Sequence, residues 1–294
     1  MKKKTRVLIT GSKGFVGKSL KKYLKNKMEL KVFCDDKSRF DLSKKKLFKK
    51  LLKNSKPNII IHLASRTVSG SKTIKEDKYQ LKNTLKPTKN LIECIESLNS
   101  VQKLIFAGTI EEYGKAKSPF KENTKAKPIT SYGKFKLKCL NFVRKNLAKS
   151  RIKYIWLRPS LMFGPNDNKG RFLGSILYSA KEKTMTSINL DKQIRDYLFV
   201  EDFNRFIYLN LIKKNFPKIQ LLNISNQNWV SLQLVMNLLS KMSKNKVKKY
   251  LIIKNRKDHS KLINSGNLLK QNYPNFKFTD FKLALKKTLK SYNI

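Results

Sequence analysis

Short apolar runs alternate with longer amphipathic segments along the first half of the chain. The runs are rich in branched or aromatic side chains and bounded by turn-forming residues, which predicts buried strands at 7–10, 31–34, 58–63, 103–107 and 154–157. Between them, apolar residues recur at three- and four-residue spacing, which predicts helices at 15–25, 44–53, 74–98 and 132–148. This alternation predicts an α/β fold with a doubly wound parallel sheet covered by helices on both faces.

The pattern becomes less regular after Pro159. It predicts helices at 171–183, 201–213, 232–242 and 280–290, and strands at 194–200, 221–224 and 249–253. We therefore expect a first domain over residues 1–165 and a smaller α/β part over 166–294, with elements from about 194–225 returning to the first domain. A ligand crevice between the two parts follows from the general rule for open α/β sheets.

The chain is strongly basic, with 67 Lys and Arg against 19 Asp and Glu and a formal net charge of +48. Such a charge suggests nucleic-acid binding. Only ten of the basic residues are arginine, however, and the lysines are spread from end to end among many Asn and Ile residues. This distribution favours compositional drift, as in an A+T-rich genome, over a dedicated nucleic-acid surface. We expect no specific nucleic-acid partner, only salt-sensitive binding to polyanions.

Targeting and redox signals are few. No run of eighteen apolar residues exists, and the basic residues 1–6 are followed by only three apolar residues, too few for a signal peptide. Cys34, Cys94 and Cys139 lie far apart and lack metal-ligand spacing. We therefore expect a cytoplasmic protein with no membrane partner, no disulfide framework and no metal site.

The strongest local motif is a glycine loop directly after the first predicted strand. Gly11, Gly14 and Gly17 form G-x-x-G-x-x-G, and Phe15 and Val16 open the following helix. The first glycine permits a tight turn, the second lets the backbone approach a pyrophosphate, and the third lets the helix pack on the strand. The N–H groups of the helix N-terminus then face the phosphates. This context predicts a dinucleotide site.

A carboxylate follows at the end of the second predicted strand. Asp35 is placed to accept both hydroxyls of an adenosine ribose, which favours NAD over NADP. Lys37 and Arg39 follow closely and are the alternative, because they would suit a 2′-phosphate. The predicted cofactor is thus NAD or NADP, with NAD slightly favoured. Asp41 and Leu42 are placed either to contact the adenine or to begin the next helix.

A second motif pairs Tyr132 with Lys136, which share one helix face at i and i+4. An ammonium beside a phenol lowers the pKa of the phenol, so that it can exchange a proton with a substrate oxygen near neutral pH. Thr109, near the end of the fourth predicted strand, is placed to hydrogen-bond the same oxygen. These three residues form the predicted catalytic set.

Taken in order, these and further segments resemble the extended short-chain dehydrogenase/reductase family of nucleotide-sugar epimerases, dehydratases and reductases. The resemblance covers nearly the whole chain and rests on the segments 11–17, 58–64, 106–114, 131–136, 157–159, 163–165 and 193–202. It implies a Rossmann-type NAD(P)-binding domain followed by a substrate domain. It also implies a nucleotide-diphosphate sugar as the partner, and a homodimer formed through the exposed faces of helices 74–98 and 132–148.

The resemblance also implies roles for single residues. Thr109, Tyr132 and Lys136 match the family's catalytic positions, and Lys136 also holds the nicotinamide ribose. Further residues are implied to line the cofactor, namely Leu63, Ala64, Ser65 and Pro159. The implied substrate contacts are Glu111, Arg171, Arg195 and Arg256. For Arg195 the alternative is a salt bridge with Asp196 or Asp202. His62 is expected to be a buried strand residue with no catalytic role.

The subclass depends on a few positions. Similar dehydratases carry two acidic residues after the threonine, whereas here Ile110 occupies the first of these positions and Glu111 the second. Residues 108–114 and 193–202 resemble bacterial 4-keto-6-deoxy-sugar reductases of the CDP-abequose synthase type. Leu161 stands where many epimerases have Asn.

We therefore expect an NAD(P)-dependent oxidoreductase acting at C4 of a nucleotide-activated sugar. The alternatives are a 4-epimerase with tightly held NAD, a 4,6-dehydratase, and a non-catalytic dinucleotide- or RNA-binding protein. An intact Thr109, Tyr132 and Lys136 set argues against the last of these, because a protein that only binds has no need of it.

Overall fold

The structure is a computed structural model. It describes residues 4–36, 40–65, 73–96, 98–189, 193–213, 220–244, 246–247, 251–254 and 261–294.

Strands and helices alternate in the first half of the chain. In chain order they are β1 (Thr5–Thr10), α1 (Phe15–Lys25), β2 (Leu30–Cys34), α2 (Lys45–Ser55), β3 (Ile59–His62), α3 (Ile74–Gln80), α4 (Lys86–Ile95), β4 (Lys103–Ala107), α5 (Ser131–Leu147) and β5 (Lys153–Pro159). The five predicted strands coincide with β1 to β5 to within two residues at either end. Residues such as Ile60 and Ile61 are fully buried, as expected for strands covered on both faces.

The second half contains shorter elements. These are β6 (Leu161–Phe163), α6 (Phe172–Glu182), β7 (Thr186–Asn189), β8 (Ile194–Phe199), α7 (Val200–Ile212), β9 (Leu221–Ile224), β10 (Trp229–Ser231), α8 (Leu232–Met242), β11 (Leu251–Lys254), β12 (Lys261–Leu262), α9 (Asn267–Asn272) and α10 (Phe281–Lys290). The predicted helices and strands of this half are all found. The elements that the pattern did not predict (β6, β7, β10, β12 and α9) have two to six residues each, too few to show a periodicity.

The main sheet has six strands in the order β2-β1-β3-β4-β5-β9. The pairs β1·β2, β1·β3, β3·β4 and β4·β5 are parallel, with Leu8 opposite both Phe33 and Ile60. The chain leaves β1 toward β2 on one side and returns to β3 on the other, so the topological switch point lies at the carboxyl end of β1. The predicted α/β class with a doubly wound parallel sheet is confirmed.

The chain divides into two compact units. The first comprises Met1–Ala116, Thr124–Arg158 and Asn204–Leu222, and the second comprises Lys117–Asn123, Pro159–Phe203 and Asn223–Ile294. The core of the first packs strand residues against helix residues, among them Leu8, Ile60, Leu104, Leu52, Leu91 and Leu140. The core of the second is rich in aromatic residues, among them Phe163, Tyr197, Phe199, Phe281 and Tyr292.

One helix differs from the sequence prediction. The segment predicted as a single helix over 74–98 is α3, a π-helical turn at Leu81–Leu85, and α4, which ends at Ile95. Within the turn the Lys86 N–H donates to the Leu81 carbonyl, five residues back. Pro87 follows at once, and its ring has no N–H and would collide with the carbonyl four residues earlier in a regular α-helix. The wider turn avoids that collision.

Among the helices of the described residues, none combines the length and the apolar character that crossing a bilayer requires.

Candidate active site

The glycine loop lies at the switch point, between the end of β1 and the start of α1. Gly11 has a φ of +75°, and a Cβ there would lie 2.7 Å from the Ala64 backbone nitrogen. A Cβ on Gly17 would overlap the Gly11 carbonyl oxygen. Glycine is therefore required at both positions, the first for the turn and the second for close packing of α1.

The loop has the features of a phosphate cradle. Gly14 is the N-cap of α1 and offers no side chain to the first turn, where Phe15, Val16 and Gly17 stand. A Cβ on Gly14 would have one neighbour, the Gly11 carbonyl oxygen at 3.3 Å, so the backbone can be approached closely here. The helix dipole places partial positive charge at the same point. These residues fit the pyrophosphate of a dinucleotide.

Asp35 faces the loop from the end of β2. Its Oδ2 accepts the Gly11 N–H at 2.8 Å, and its Oδ1 accepts the Ser12 N–H at 2.9 Å and the Ser12 hydroxyl at 2.6 Å. The carboxylate thus ties the loop to β2 as well as standing where the sequence analysis expects the adenosine ribose. Lys37 and Arg39, the alternative 2′-phosphate ligands, lie outside the described residues.

The other predicted cofactor residues of the first unit lie in loops that follow β2 and β3. Asp41 accepts the Ser43 N–H at 3.0 Å. The N-cap of α2 is Lys44, so Asp41 lies three residues before the residue that begins this helix. Leu42 is buried in the core. Leu63 and Ala64 are buried directly after β3, and Ser65 follows them.

The predicted catalytic set gathers around the carboxyl end of β4. Tyr132 and Lys136 lie one turn apart on α5, and Lys136 Nζ is 5.8 Å from the centre of the Tyr132 ring. The same Nζ donates to the Ala107 carbonyl, the last of β4, at 2.6 Å. Burial lowers the pKa of Lys136, which is 3% exposed. Thr109 follows β4 by two residues and is also buried.

Thr109 is held by Glu112. It is the N-cap of a 3₁₀ turn over Ile110–Glu112, and its N–H donates to Glu112 Oε1 at 2.9 Å. Glu112 is fully buried and also accepts the Trp156 indole N–H at 3.0 Å and Arg158 Nε at 2.7 Å. The oxygens of this carboxylate accept hydrogen bonds from one cationic and two neutral donors, so Glu112 holds the Thr109 turn in position.

Glu111, predicted to contact substrate, is tied to the start of α5. Its Oε2 accepts the Thr130 hydroxyl at 2.7 Å, while Thr130 Oγ1 accepts the Gly133 N–H at 3.0 Å as the N-cap of that helix. The next residue, Ser131, donates to Asp77 of α3. The turn that carries Thr109 and the helix that carries Tyr132 are therefore joined by side-chain hydrogen bonds.

His62 is buried, as the sequence analysis expects. Its Nδ1 lies 2.8 Å from Thr10 Oγ1 and its Nε2 lies 3.2 Å from Thr88 Oγ1. Because the Thr88 hydroxyl donates to the Thr84 carbonyl, it accepts from Nε2–H, which leaves Nδ1 to accept from Thr10. Burial, assisted by the nearby charge of Lys136, lowers the pKa of His62 to about 3. The ring is neutral and serves to join β3, β1 and α4.

The remaining predicted residues belong to the second unit. Pro159 is buried there, and Arg171 forms an ion pair with Asp167 Oδ1 at 2.8 Å. Arg195 donates from its guanidinium to the Gln193 side chain and, at 3.1 Å, to the Ile194 carbonyl. Arg256, the fourth predicted substrate contact, lies outside the described residues.

No role is predicted from the sequence for Glu112, Arg158 or Thr130. A signal for the first existed, because Thr109 and Glu112 are spaced as a capping box, S/T-x-x-E. The partnership of Glu112 with Arg158, 46 residues later, has no local signal. Among the described residues no group of three or more His, Cys, Asp or Glu is placed to hold a metal ion.

The sequence is similar to those of known proteins. Residues 7–225 match the model of the NAD dependent epimerase/dehydratase family. The chain is 33% identical over 217 residues to a GDP-6-deoxy-D-talose 4-dehydrogenase of Aggregatibacter actinomycetemcomitans, covering 71% of this chain and 70% of that one. It is 24% identical over 309 residues to a GDP-L-fucose synthase of Dictyostelium discoideum, covering 97% and 94%.

Among solved structures, a UDP-glucose 4-epimerase of Thermotoga maritima with UDP-glucose has a TM-score of 0.85 at 20% identity, covering 98% of both chains. At this identity the likeness concerns the fold.

Proposed function

The chain belongs to the NAD dependent epimerase/dehydratase family, and from this premise we propose that it reduces the C4 ketone of a nucleotide-activated 4-keto-6-deoxy sugar. Membership makes it an NAD(P)-dependent enzyme of nucleotide-sugar modification. The proposal concerns which of the family's reactions it performs.

The observation that carries the proposal is the grouping of Thr109, Tyr132 and Lys136 at the end of β4. When bound, the dinucleotide supplies the hydride. Tyr132 gives its phenolic proton to the substrate oxygen, and the buried Lys136 ammonium stabilises the phenolate that remains. The hydrogen bond from Nζ to the Ala107 carbonyl holds this charge in place. Thr109, fixed through Glu112, orients the same oxygen.

The surroundings of Glu111 favour reduction over dehydration. Elimination of water needs an acid and a base beside the catalytic threonine, and Ile110 supplies neither. Glu111, the remaining acidic residue, accepts the Thr130 hydroxyl and joins the Thr109 turn to α5. Reduction of a ketone needs one proton donor besides the hydride, which Tyr132 provides. The relative at 33% identity is named as a 4-dehydrogenase, which is the same redox change at C4 read in reverse.

The test is an assay with purified protein, NADH or NADPH, and 4-keto-6-deoxy sugars linked to GDP, dTDP or CDP. We expect absorbance at 340 nm to fall with one of these sugars and a C4 alcohol to form, identified by NMR. Interconversion of C4 epimers with no change at 340 nm, together with retained NAD detected by mass spectrometry, would identify an epimerase instead.

The variant Tyr132→Phe tests the proton donor. Because it removes the acid–base group and little contact surface, turnover should fall by about 10²–10⁴ while dinucleotide affinity stays within a few-fold. Tyr208→Phe, which removes a surface phenol bonded to Glu29, is the matched control and should retain full turnover. Retention of turnover by Tyr132→Phe would remove Tyr132 from the reaction.

A further inference from the structure

The chain between the Thr109 turn and α5 forms a strap that belongs to both units. Lys117–Asn123 is part of the second unit, whereas the residues on either side of it are part of the first. We refer to residues 115–127 as the strap, to Lys117–Asn123 as its tip, and to the pairing of its two ends as its base. Thr109 lies shortly before the strap and Tyr132 shortly after it.

The base of the strap is closed by backbone hydrogen bonds within the first unit. The Lys115 N–H donates to the Lys127 carbonyl at 3.0 Å, and the Lys127 N–H donates to the Tyr113 carbonyl at 3.0 Å. Tyr113 is the residue that ends the Thr109 turn, and Lys127 is followed closely by Thr130, the N-cap of α5. The base therefore joins the two chain segments that lead to the predicted catalytic residues.

The tip is held within the second unit through the backbone of Phe120. The Phe120 N–H donates to the Ile263 carbonyl at 2.9 Å, and the Phe120 carbonyl accepts the Ser265 N–H at 2.8 Å. The same carbonyl accepts Asn223 Nδ2 at 2.9 Å. Phe120 and Asn223 are fully buried, so breaking these hydrogen bonds would leave polar groups without a partner and away from water.

Glu122 adds a side-chain contact to this backbone pairing. Its Oε1 accepts the backbone N–H of Asn223 at 2.9 Å. Asn223 is thus bonded to the tip twice, through its N–H and through its side-chain amide. Removing the Glu122 carboxylate would take away the acceptor of an N–H group in a fully buried residue, which favours release of the tip.

The segment that pairs with Phe120 is also bonded to β8, the strand that carries Arg195. Asn264 Nδ2 donates to the Ser160 hydroxyl at 3.1 Å, and the Ser160 hydroxyl donates to Asp196. These three side chains are buried. Asp196 adjoins Arg195, a predicted substrate contact. Hydrogen bonds within the second unit therefore connect the strand predicted to bind substrate with the tip of the strap.

We propose that the strap is a positioning element for the reaction, and that Glu122 is the positioning residue through which the second unit sets the placement of Thr109 and Tyr132. Glu122 acts through the backbone of the strap and exchanges no proton with the substrate. A displacement of about 1 Å in a catalytic group can lower a rate about 10²-fold, so release of the tip should slow turnover. The proposal rests on the proposed function only in taking Thr109 and Tyr132 as the reacting groups.

The first test requires neither cofactor nor sugar. Hydrogen–deuterium exchange, measured by mass spectrometry of peptides, compares Glu122→Ala with the parent. Exchange should become at least about tenfold faster in the tip and also in two segments of the first unit, residues 109–116 and 127–136. Faster exchange confined to the tip and to Asn223 would overturn the proposal, because the base would then hold without the tip. No reaction is measured, so the result does not depend on whether a sugar is reduced.

The second test measures turnover of the sugar that the reduction assay identifies. Glu122→Ala should lower kcat about 10- to 100-fold, while KM for the sugar and the affinity for the dinucleotide stay within about threefold. Glu122→Gln should keep kcat within about threefold of the parent, because its amide oxygen can accept the Asn223 N–H. A rise in KM with kcat unchanged would overturn the proposal. If no sugar is reduced, the proposed function fails, and the exchange experiment decides the proposal about the strap.

The matched control removes a similar hydrogen bond elsewhere in the second unit. Asp280 Oδ1 accepts the Leu283 N–H at 3.0 Å at the start of α10, just as Glu122 accepts a backbone N–H. Asp280→Ala should leave kcat and the exchange of both first-unit segments unchanged. An equal loss of kcat in Asp280→Ala and Glu122→Ala would mean general destabilisation of the second unit and would overturn the proposal. Circular dichroism checks that each variant is folded.

Discussion

The first unit buries the Glu112 carboxylate against Arg158 Nε at 2.7 Å, whereas the second unit buries the Asp196 carboxylate against the Ser160 hydroxyl. Both side chains are 0% exposed. Glu112 has a full counter-charge in the guanidinium of Arg158. For Asp196 burial is the larger influence and hydroxyl partners offset only part of it, which raises its pKa to about 6. A buried acid is therefore ion-paired in the first unit, whereas in the second unit burial raises the pKa of the buried acid toward neutrality.

His62, in the first unit, links stability to pH with the opposite sign to Asp196. Its pKa is lowered to about 3 in the folded protein, below the ordinary value of about 6.5. Above pH 6.5 the ring is neutral in both states, and stability is lost as pH falls below that value because only the unfolded chain gains the proton. Asp196 is protonated in both states below about pH 4, and stability is lost as pH rises from there to about 6.

The largest expected effect comes from breaking the pair in the first unit. Arg158→Met leaves Glu112 buried without its cation, and we expect the free energy of unfolding to fall by about 3–5 kcal/mol. Urea denaturation measures it. The double variant Glu112→Gln, Arg158→Met restores neutrality and should recover part of the loss. If both variants were equally destabilised, packing of the Arg158 side chain rather than its charge would be the cause.

Asp196→Asn, in the second unit, should raise the free energy of unfolding at neutral pH, whereas Arg158→Met lowers it. The amide oxygen can still accept the Ser160 hydroxyl, and the cost of ionising a buried acid disappears. Relative to the parent, we expect the variant to gain about 2–3 kcal/mol in unfolding free energy between pH 4 and pH 7, from a pKa raised to about 6. Denaturation at both pH values gives this difference, and a gain independent of pH would contradict the shifted pKa.

His62→Gln should reduce the fall in unfolding free energy that occurs as the pH is lowered. Between pH 7 and pH 4.5 the parent should lose about 2–3 kcal/mol through this one ring, because its folded pKa of about 3 lies below the whole interval. The amide retains one donor and one acceptor for Thr88 and Thr10. We expect the variant to be less stable than the parent at pH 7 but to lose less on acidification. Parallel profiles for parent and variant would show that His62 does not couple to pH.

The smallest effect is expected at the surface of the second unit. Lys287 and Glu201 form an ion pair at 3.1 Å, with side chains 47% and 42% exposed. Lys287→Gln should change the unfolding free energy by less than about 1 kcal/mol, and less still in high salt. A loss as large as that of Arg158→Met would mean that exposure does not govern the value of an ion pair in this protein.

The two units also differ in how many of their helices and strands can be predicted from the sequence. In the first unit the predicted strands and most helices match the structure, because each is long enough to show its period. The exception is the π turn before Pro87, where the proline rather than the apolar pattern decides the geometry. In the second unit β6, β10 and β12 have two or three residues each, and they form only because β8 is there to pair with them.

The sequence by itself determined the α/β class, the glycine loop, and the one-turn spacing of Tyr132 and Lys136. These features depend on residues that are close together in the chain, through periodicity and local backbone conformation. Only the tertiary structure decided the partners of buried charges. Arg158 reaches Glu112 across 46 residues and Thr130 reaches Glu111 across 19. It also decided that Asp35 is engaged by the loop and that the lysines of α1 line a cavity beside it. Such pairings follow from which strand ends meet at one edge of the sheet, a property that no local pattern carries.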